Sequence, residues 1–292
     1  MALAILGPVS GEPAKVELGA GDSLGPYRID ALLGEGGMGA VFRATRTDTG
    51  ELVALKVVKL ELAADRLYQQ RFLHEARAAA EIHHEHLVNV LDVGEAEGRQ
   101  YLAMPLVEGR TLEDRIAAEG PLPLDDVVRL AKEVGAGLDA LHAAEVIHRD
   151  IKPSNIILST NGAAALTDFG LAKGTGYSRL TQPGQIVGTL DYLAPERIRG
   201  EDATPLSDIY ALGCVVFEAV SGNAPFGHKS IMQVAFAHLE ETPPDPCAER
   251  TDAPAGFSDA VLTALAKVPP TRPASAGAYA GALEDAARAG AR

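Results

Sequence analysis

The sequence contains few cysteines and no long apolar run. Its two cysteines, Cys214 and Cys247, form no Cys-x-x-Cys motif, so we expect neither a disulfide framework nor a cysteine-based zinc site. Free thiols fit a reducing compartment, which favours a cytoplasmic location. The longest apolar stretch, at about 210–220, is much shorter than the roughly 20 residues that span a bilayer. We therefore expect no membrane segment in this chain.

Positive charge is also scarce. The 292 residues include 26 Lys plus Arg against 40 Asp plus Glu, which gives a formal net charge of −14. A broad nucleic-acid surface needs clustered Lys and Arg to neutralise phosphates, so we expect no nucleic-acid partner. The hydrophobic content of 47% and the charged content of 23% are ordinary for a folded chain, and they argue against intrinsic disorder.

Hydrophobic patterns divide the chain into two parts. Residues 1–24, rich in Gly, Pro and small residues, are predicted to be a flexible tail. Alternating patterns then predict strands at 29–33, 40–44, 52–58, 87–94 and 100–107, with one helix at 65–82. Farther along, helical spacing predicts helices at 127–141, 206–221, 230–239, 258–267 and 274–289, with short strands at 156–158 and 165–167. A β-rich N-terminal part followed by a helix-rich C-terminal part indicates an α+β protein.

A glycine-rich segment lies between the first two predicted strands. It reads Gly-Glu-Gly-Gly-Met-Gly-Ala-Val at 34–41. A dinucleotide-binding fingerprint requires a helix after the glycines, whereas a strand follows here, so that interpretation is disfavoured. Two interpretations remain: a hairpin whose glycines let backbone amides approach phosphates, or an ordinary glycine-rich turn.

A lysine near the end of a hydrophobic strand is a second candidate. Lys56 closes the sequence Val-Ala-Leu-Lys at 53–56, and its ammonium group could contact phosphate oxygens. Glu75, on the predicted helix, could hold it as an ion-pair partner. Taken singly, each residue is also compatible with an ordinary solvated position.

Three further motifs follow in order. They are His-Arg-Asp-Ile-Lys-Pro-Ser-Asn at 148–155, Asp-Phe-Gly at 168–170 and Ala-Pro-Glu at 194–196. In the first motif, Asp150 could accept a hydroxyl proton, Lys152 could neutralise a transferring phosphoryl group and Asn155 could bind a metal. Asp168 could chelate Mg²⁺. Such groups must converge because phosphoryl transfer depends on positioning and electrostatic stabilisation.

With these motifs in this order, the chain resembles the eukaryotic-type (Hanks-type) Ser/Thr protein kinases, especially the bacterial members. The resemblance runs from about residue 27 to 284. It implies a bilobal protein-kinase fold, with a β-rich N-lobe containing one main helix (25–107), a mostly helical C-lobe (108–287) and a C-terminal tail (288–292). It also implies ATP and Mg²⁺ as cofactors, with Mn²⁺ as an alternative ion, and proteins as substrates.

The resemblance assigns roles to individual residues. The implied catalytic residues are Asp150 as the base, Lys152, Lys56 paired with Glu75, and Thr189. The implied ATP contacts are Leu33, Gly34, Gly36, Gly39, Val41, Ala54, Lys56, Met104, Val107 and Ile157. Asn155 and Asp168 would hold the metal ions. Glu196 would form a buried ion pair with Arg272, and Asp208 would brace the segment 148–155, called the catalytic loop below.

The resemblance also bears on class and regulation. Lys152 lies two positions after Asp150, as in Ser/Thr rather than tyrosine kinases. Arg149 marks the subgroup that is controlled by activation-loop phosphorylation, because a phosphate there would bring about −1.5 to −2 charge for Arg149 to bind. The candidate acceptors are Thr181, Ser178 and Thr175; alternatively, these hydroxyls are simple loop residues.

Two departures from the family pattern stand out. Pro105 replaces the usual hinge Glu, but the expected adenine contact is a backbone carbonyl, which proline retains. Thr111 and Ser154 replace the acidic residues that favour Arg upstream of the phosphoacceptor, which argues against a basic consensus motif.

Two alternative functions stay open at this point. One is a pseudokinase that binds nucleotide or a partner, although Lys56, Asp150, Asn155 and Asp168 are all retained. The other is a small-molecule kinase with a similar catalytic loop. Some relatives form N-lobe homodimers, and this chain could do the same. It could be a soluble kinase or the catalytic domain of a longer protein.

Overall fold

A twisted antiparallel sheet forms the N-terminal part of the computed structural model, which describes residues 18–35, 39–59, 66–168 and 190–289. Its six strands follow the order β1-β2-β3-β4-β6-β5. Their bounds are β1 (Ser23–Leu24), β2 (Tyr27–Glu35), β3 (Gly39–Arg46), β4 (Leu52–Val58), β5 (Asp92–Ala96) and β6 (Arg99–Pro105). The strands predicted at 29–33, 40–44 and 52–58 are confirmed.

Residues 18–24 belong to the folded N-lobe, so the predicted tail of 1–24 is wrong in this portion. Leu24 is fully buried beside Tyr27 and Ile29, and Leu18 packs against the same apolar cluster. The Gly21 N–H also bonds to the Ile29 carbonyl at 2.9 Å. Burying these leucines removes apolar surface from water, which is why the segment folds back onto the sheet. Residues 1–17 lie outside the described residues.

The strand predicted at 87–94 begins later, at Asp92. The Val88 N–H instead donates to the Leu166 carbonyl at 2.8 Å, which ties this segment to the C-terminal part of the chain. The hairpin between β5 and β6 turns at Glu97 and Gly98, which both have positive φ, 53° and 71°. Positive φ at both central residues suits the right-handed twist of the two strands.

One helix, α1 (Arg66–Ala80), packs against the N-terminal sheet. The sequence predicted it at 65–82, and residue 65 lies outside the described residues. Phe72, Ala76 and Ala79 are buried and recur at the three- and four-residue spacing of one helical face. Glu75, on the same helix, is only partly buried.

The described C-terminal part is mostly helical. Its helices are α2 (Leu112–Glu119), α3 (Leu124–Ala143), α4 (Pro195–Ile198), α5 (Pro205–Ser221), α6 (Ile231–Glu240), α7 (Phe257–Thr263) and α8 (Ala276–Ala289). A small antiparallel sheet joins β7 (Gly109–Thr111), β8 (Ile156–Ser159) and β9 (Ala164–Leu166). The mixed α+β architecture is therefore as predicted. Within the described residues, no helix combines the length and hydrophobicity needed to cross a bilayer.

Most predicted helix bounds agree with the structure to within three residues, but helix α7 ends at Thr263 instead of 267. The Leu265 N–H bonds to the Leu262 carbonyl at 3.0 Å, a tighter three-residue pattern that commonly closes the last turn of a helix. The Ala266 carbonyl instead accepts from Arg272 Nε at 2.8 Å. Helix α8 ends at Ala289, as predicted for this helix, so residues 288 and 289 belong to it and not to the predicted tail.

Helix α5 forms the centre of the C-terminal part. It is buried along almost its whole length, as expected for a helix that is apolar on every side. A capping box between Thr204 and Ser207 starts it, and Gly222, with φ of 84°, ends it. One continuous apolar cluster joins this helix to α3 and to residues of the N-terminal part such as Phe72 and Leu102. That shared core fixes the cleft in which the candidate site lies.

Candidate active site

Lys56 and Asp168 meet in the cleft between the two lobes. Lys56 lies in β4, between Val41 of β3 and Leu102 of β6. Asp168 follows β9, and its backbone has a φ of 59°, a left-handed conformation that non-glycine residues rarely adopt. The Lys56 Nζ atom is 2.8 Å from Asp168 Oδ1. Two residues that are 112 positions apart in the sequence (168 − 56) therefore form one charged pair.

Glu75 does not pair with Lys56, contrary to the expectation from the sequence. Its Oε1 atom is 2.6 Å from Nη1 of Arg149 in the catalytic loop. Lys56 is thus paired with Asp168 instead of Glu75, and Glu75 is paired with Arg149 instead of Lys56. The physical reason is that a lysine close to Asp168 gains its counter-charge there, which leaves Glu75 to the nearest other cation.

The catalytic loop brings Asp150, Lys152 and Asn155 together. Lys152 Nζ is 3.3 Å from Asp150 Oδ2. Asn155 Nδ2 donates to the Asp150 carbonyl at 2.7 Å and to Asp150 Oδ2 at 3.1 Å. The amide of Asn155 therefore fixes the direction of the Asp150 carboxylate, and Lys152 supplies a positive charge beside it. This arrangement can hold a proton acceptor, the Asp150 carboxylate, next to the positive charge of Lys152.

His148 connects this loop to the segment that carries Asp168. Its Nε2 atom is 3.1 Å from the Thr167 carbonyl, and the Asp150 N–H is 3.3 Å from its Nδ1. Burial lowers the pKa of His148, so the ring is neutral, with Nε2 as the donor and Nδ1 as the acceptor. The Thr167 N–H also bonds to the Asn155 carbonyl at 2.9 Å. These bonds fix the position of Asp150 relative to the segment that carries Asp168.

Asp208 lies under the catalytic loop, where the resemblance implied that it would be. Its carboxylate accepts the N–H groups of His148 and Arg149 at 2.8 and 2.9 Å. A further contact, His142 Nε2 to Asp208 Oδ2 at 2.9 Å, was not anticipated from the sequence. A histidine in the last turn of a predicted helix is a candidate for an electrostatic contact, because that end of a helix favours cations. The sequence does not show which residue its partner is.

Glu196 and Arg272 form a buried two-pronged ion pair, as the resemblance implied. Arg272 Nη1 and Nη2 donate to the two carboxylate oxygens at 2.7 and 2.8 Å, and Ser207 Oγ donates to Oε1 at 2.8 Å. Burial opposes ionisation of Glu196, but these hydrogen bonds outweigh it and lower the pKa of the carboxyl group. The pair fastens α4 to the loop before α8.

The residues expected to contact ATP lie around the same cleft. Ala54 of β4 is the direct neighbour of Met104 of β6. Met104 is buried, and its Sδ atom is 3.8 Å from Thr167 Oγ1. Val41, Val107 and Ile157 are partly buried, whereas Leu33 and Gly34 are exposed on β2. Val41 is also the direct neighbour of Lys56 across β3 and β4, which places this predicted ATP contact beside the charged pair.

In the glycine-rich segment at 34–41, the structure shows why residue 39 is a glycine. A Cβ atom at this position would lie 2.0 Å from the Val57 carbonyl oxygen. A side chain would therefore collide with the neighbouring strand β4. The remaining predicted site residues, Gly36, Thr175, Ser178, Thr181 and Thr189, lie outside the described residues.

The donor set of the cleft fits a hard divalent cation such as Mg²⁺. Asp168 offers a carboxylate. Asn155 uses its Nδ2 atom to bind Asp150, which leaves its amide oxygen available as a ligand. Carboxylate and amide oxygens are the ligands that hard divalent cations prefer. A cation bound here would compete with Lys56 for the Asp168 carboxylate.

Comparison with known proteins identifies the family. Residues 27–277 match the family model of the protein kinase domain. The chain is 40% identical over 266 residues to the serine/threonine-protein kinase PknH of Mycobacterium bovis, which covers 91% of this chain and 45% of that protein. It is also 40% identical over 273 residues to PknA of Mycobacterium tuberculosis, covering 92% of this chain and 62% of that protein. The chain thus spans less than two thirds of these curated relatives.

The fold comparison agrees with the sequence comparison. The crystal structure of the Mycobacterium tuberculosis PknI kinase domain superposes with a TM-score of 0.76 at 29% sequence identity. The match covers 93% of this chain and 100% of that domain.

Proposed function

The chain belongs to the protein kinase domain family, and from that premise we propose that it transfers the γ-phosphate of ATP to Ser and Thr hydroxyl groups of proteins. The observation that carries this proposal is the convergence of the charged groups. Lys56 contacts Asp168 at 2.8 Å, and Lys152 and Asn155 both contact the Asp150 carboxylate. Each group is of the type that phosphoryl transfer requires.

Asp150 is the proposed acceptor of the substrate hydroxyl proton. Asn155 holds its carboxylate in one direction, and Lys152 provides positive charge where the phosphoryl group would pass. Lys56 would move from Asp168 to the α- and β-phosphates when nucleotide binds. Asp168 and Asn155 would hold the divalent metal, for which we propose Mg²⁺; when bound, it neutralises charge that develops on the phosphates.

Activation-loop autophosphorylation is a finer part of the proposal. It is motivated by Arg149, whose guanidinium group lies at the catalytic loop and is already paired with a carboxylate, that of Glu75. A phosphate carries more negative charge than a carboxylate, so a phosphorylated side chain could replace Glu75 as the partner of Arg149. The acceptor candidates remain Thr181, Ser178 and Thr175. An N-lobe homodimer and a cytoplasmic location also remain predictions.

Incubation with MgATP followed by intact-mass analysis tests the function. The parent protein should gain phosphates and label a generic protein such as casein, whereas an Asp150→Asn variant should do neither. A nucleotide-induced rise in melting temperature without phosphate transfer would favour the pseudokinase alternative. ATP consumption with small alcohols but not with protein would favour a small-molecule kinase. Mapping of the phosphosites tests the three activation-loop candidates.

A further inference from the structure

The described C-terminal part contains a cavity outside the candidate active site. It has a volume of about 520 Å³ and lies between β7, the turn that joins β8 to β9, helix α2 and the first half of α3. Ligand pockets usually have volumes of about 300–1,000 Å³, so this cavity has room for a few side chains of a partner. None of its lining residues belongs to the proposed catalytic, ATP or metal set.

Apolar and cationic side chains share the lining of this cavity, which is called the arginine pocket below. Leu122 and Leu130, which line it, are almost fully buried and belong to the apolar core. Arg110 of β7, Arg115 of α2 and Arg129 of α3 line it as well. Three arginines around one cavity contrast with the net charge of −14 of the whole chain. The pocket therefore offers positive groups beside apolar side chains.

Two of these arginines converge on one carboxylate. Arg110 Nη2 approaches Oε1 of Glu119, and Arg115 Nε is 3.1 Å from its Oε2. Because Arg110 comes from β7 and Arg115 from α2, the fold itself brings two guanidinium groups to a single anion. The side chains of Arg110 and Glu119 are 46% and 48% exposed, and an exposed ion pair contributes only about 0–1 kcal/mol. A more highly charged anion from solvent can therefore displace Glu119.

The remaining charged groups of the arginine pocket have partners of their own. Asp126 Oδ1 is 2.7 Å from Arg129 Nη2, so these two charges compensate each other. The charge of Glu133 opposes an anion, but its Oε2 accepts the Ala164 N–H at 2.7 Å, which holds the carboxylate to β9. When Glu119 is displaced, the lining carries three arginines against two carboxylates. The net positive charge then favours an anionic ligand.

A phosphate monoester suits the place of Glu119 better than a carboxylate does. It carries about −1.5 to −2 charge and three strong acceptor oxygens, and arginine binds phosphate through two parallel N–H bonds. Since each guanidinium group has five N–H donors, Arg110 and Arg115 together can bind all three oxygens. A phosphorylated side chain in a protein segment also brings neighbouring side chains. An apolar neighbour complements Leu122 and Leu130, which favours such a segment over free phosphate.

We propose that the arginine pocket binds a phosphorylated Ser or Thr side chain of a protein segment. The phosphate lies between Arg110 and Arg115 in place of Glu119, and an apolar neighbour packs on Leu122 and Leu130. Phosphorylated Ser and Thr are the products of the reaction proposed above, so the substrates of a Ser/Thr kinase supply such segments. The inference goes beyond that function, because binding at this pocket needs no phosphate transfer.

Fluorescence anisotropy with a labelled phosphopeptide tests the proposal. The probe is Gly-Ser-Leu-phosphoThr-Leu-Ser-Gly, and the comparison peptide carries unmodified Thr at the same place. Both are titrated with the whole chain at one ionic strength and without nucleotide. The proteins compared are the parent, Arg110→Gln, Glu119→Gln and an Arg28→Gln control, each with its melting temperature. Arg28 is 57% exposed and pairs with Asp30 in β2, so the control removes a similar surface pair far from the pocket.

The two pocket substitutions should change the affinity in opposite directions. We expect the parent to bind the phosphopeptide about tenfold more tightly than the unmodified peptide, the usual effect of hydrogen bonds to a charged group. Arg110→Gln should weaken binding about fivefold, Glu119→Gln should tighten it about threefold, and Arg28→Gln should stay within about twofold of the parent. Both pocket substitutions break the same ion pair, so a loss of stability alone would shift both affinities in the same direction.

Three results would overturn the proposal. The first is equal affinity for the phosphorylated and unmodified peptides, and the second is a shift of the two pocket variants in the same direction. The third is displacement of the probe by inorganic phosphate at the concentration at which the unlabelled phosphopeptide displaces it, because the pocket then takes a free anion.

An Asp150→Asn variant separates this inference from the proposed function. It should bind the phosphopeptide as the parent does, because Asp150 does not line the arginine pocket. Loss of binding in this variant would place the probe in the catalytic cleft and overturn the inference. If the parent transfers no phosphate but the opposite shifts of the pocket variants appear, the kinase proposal fails and phosphopeptide binding stands.

Discussion

Removal of the Glu196 carboxylate should destabilise the C-terminal lobe by about 3–5 kcal/mol, the usual effect of breaking a buried ion pair on one side. The Arg272 side chain is 0% exposed and that of Glu196 is 4% exposed. Two short hydrogen bonds, of 2.7 and 2.8 Å, join their charged ends. In a Glu196→Ala variant, the guanidinium group would stay buried without its counter-charge.

This magnitude is large for a single substitution. A typical domain is stable by about 5–15 kcal/mol in total, so the variant should unfold at a clearly lower temperature and urea concentration. Part of the loss is offset, because Arg272 also donates to the carbonyls of Leu206 and Ala266. For that reason, we expect the lower half of the range.

Urea unfolding followed by circular dichroism measures the effect. The proteins compared are the parent, Glu196→Ala, Arg272→Met, the double variant with both substitutions, and a Glu284→Ala control. Glu284 pairs with Lys132 and Arg288 on the surface, where water solvates the charges, so its loss should change the free energy of unfolding far less. The double variant should be less destabilised than the sum of the single variants, since it leaves no unpaired charge.

The dependence on pH gives a second check. The pKa of Glu196 is lowered in the folded protein, so its contribution is fully present above the ordinary glutamate value of about 4.3. The contribution is lost as the pH falls through the lower value of the folded state. The reasoning is refuted if Glu196→Ala unfolds at the same urea concentration as Glu284→Ala, or if the double variant is as unstable as the sum.

Two further predictions concern stability. Gly39→Ala should lower stability by about 1–3 kcal/mol, because its Cβ would lie 2.0 Å from the Val57 carbonyl oxygen. At Gly34 a Cβ would have no atom within 4 Å, so Gly34→Ala should leave stability unchanged. Equal melting temperatures of the two variants in calorimetry would contradict this. Burial, assisted by the charge of Lys267, lowers the pKa of His238 to about 3 in the folded protein. Below about pH 6.5 the unfolded chain therefore binds a proton at this histidine, whereas the folded chain does not. The free energy of unfolding should fall by up to about 1.4 kcal/mol per pH unit from this group. A His238→Leu variant should show a correspondingly shallower slope in urea unfolding between pH 6.5 and 4.5, and an unchanged slope would disprove the assignment.

That the proposed catalytic groups Asp150, Lys152 and Asn155 lie together could be predicted from the sequence, because they belong to one short motif. Asp150, Lys152 and Asn155 lie within one short loop, so their mutual contacts follow from the chain itself. Most strands and helices were likewise predictable from the period of their apolar residues, but the short elements β1, β7, α2 and α4 were not predicted. Some bounds were also wrong where distant contacts decide them. Residue 88, for example, bonds to Leu166 instead of extending β5.

The pairing of charges across the cleft was decided only by the tertiary structure. The sequence offers Lys56 and Arg149 as cations, and Glu75 and Asp168 as carboxylates, but it does not state which pairs form. Glu75 and Arg149 are separated by 74 positions in the chain, and their contact depends on where α1 lies relative to the catalytic loop. The contact of His142 with Asp208 likewise depends on how the end of α3 meets the start of α5. The sequence by itself determined which groups are present and on which elements they lie, because local spacing sets both. Only the packing of one lobe and one helix against another decided their partners, since the energy of a charge pair depends on distance in space.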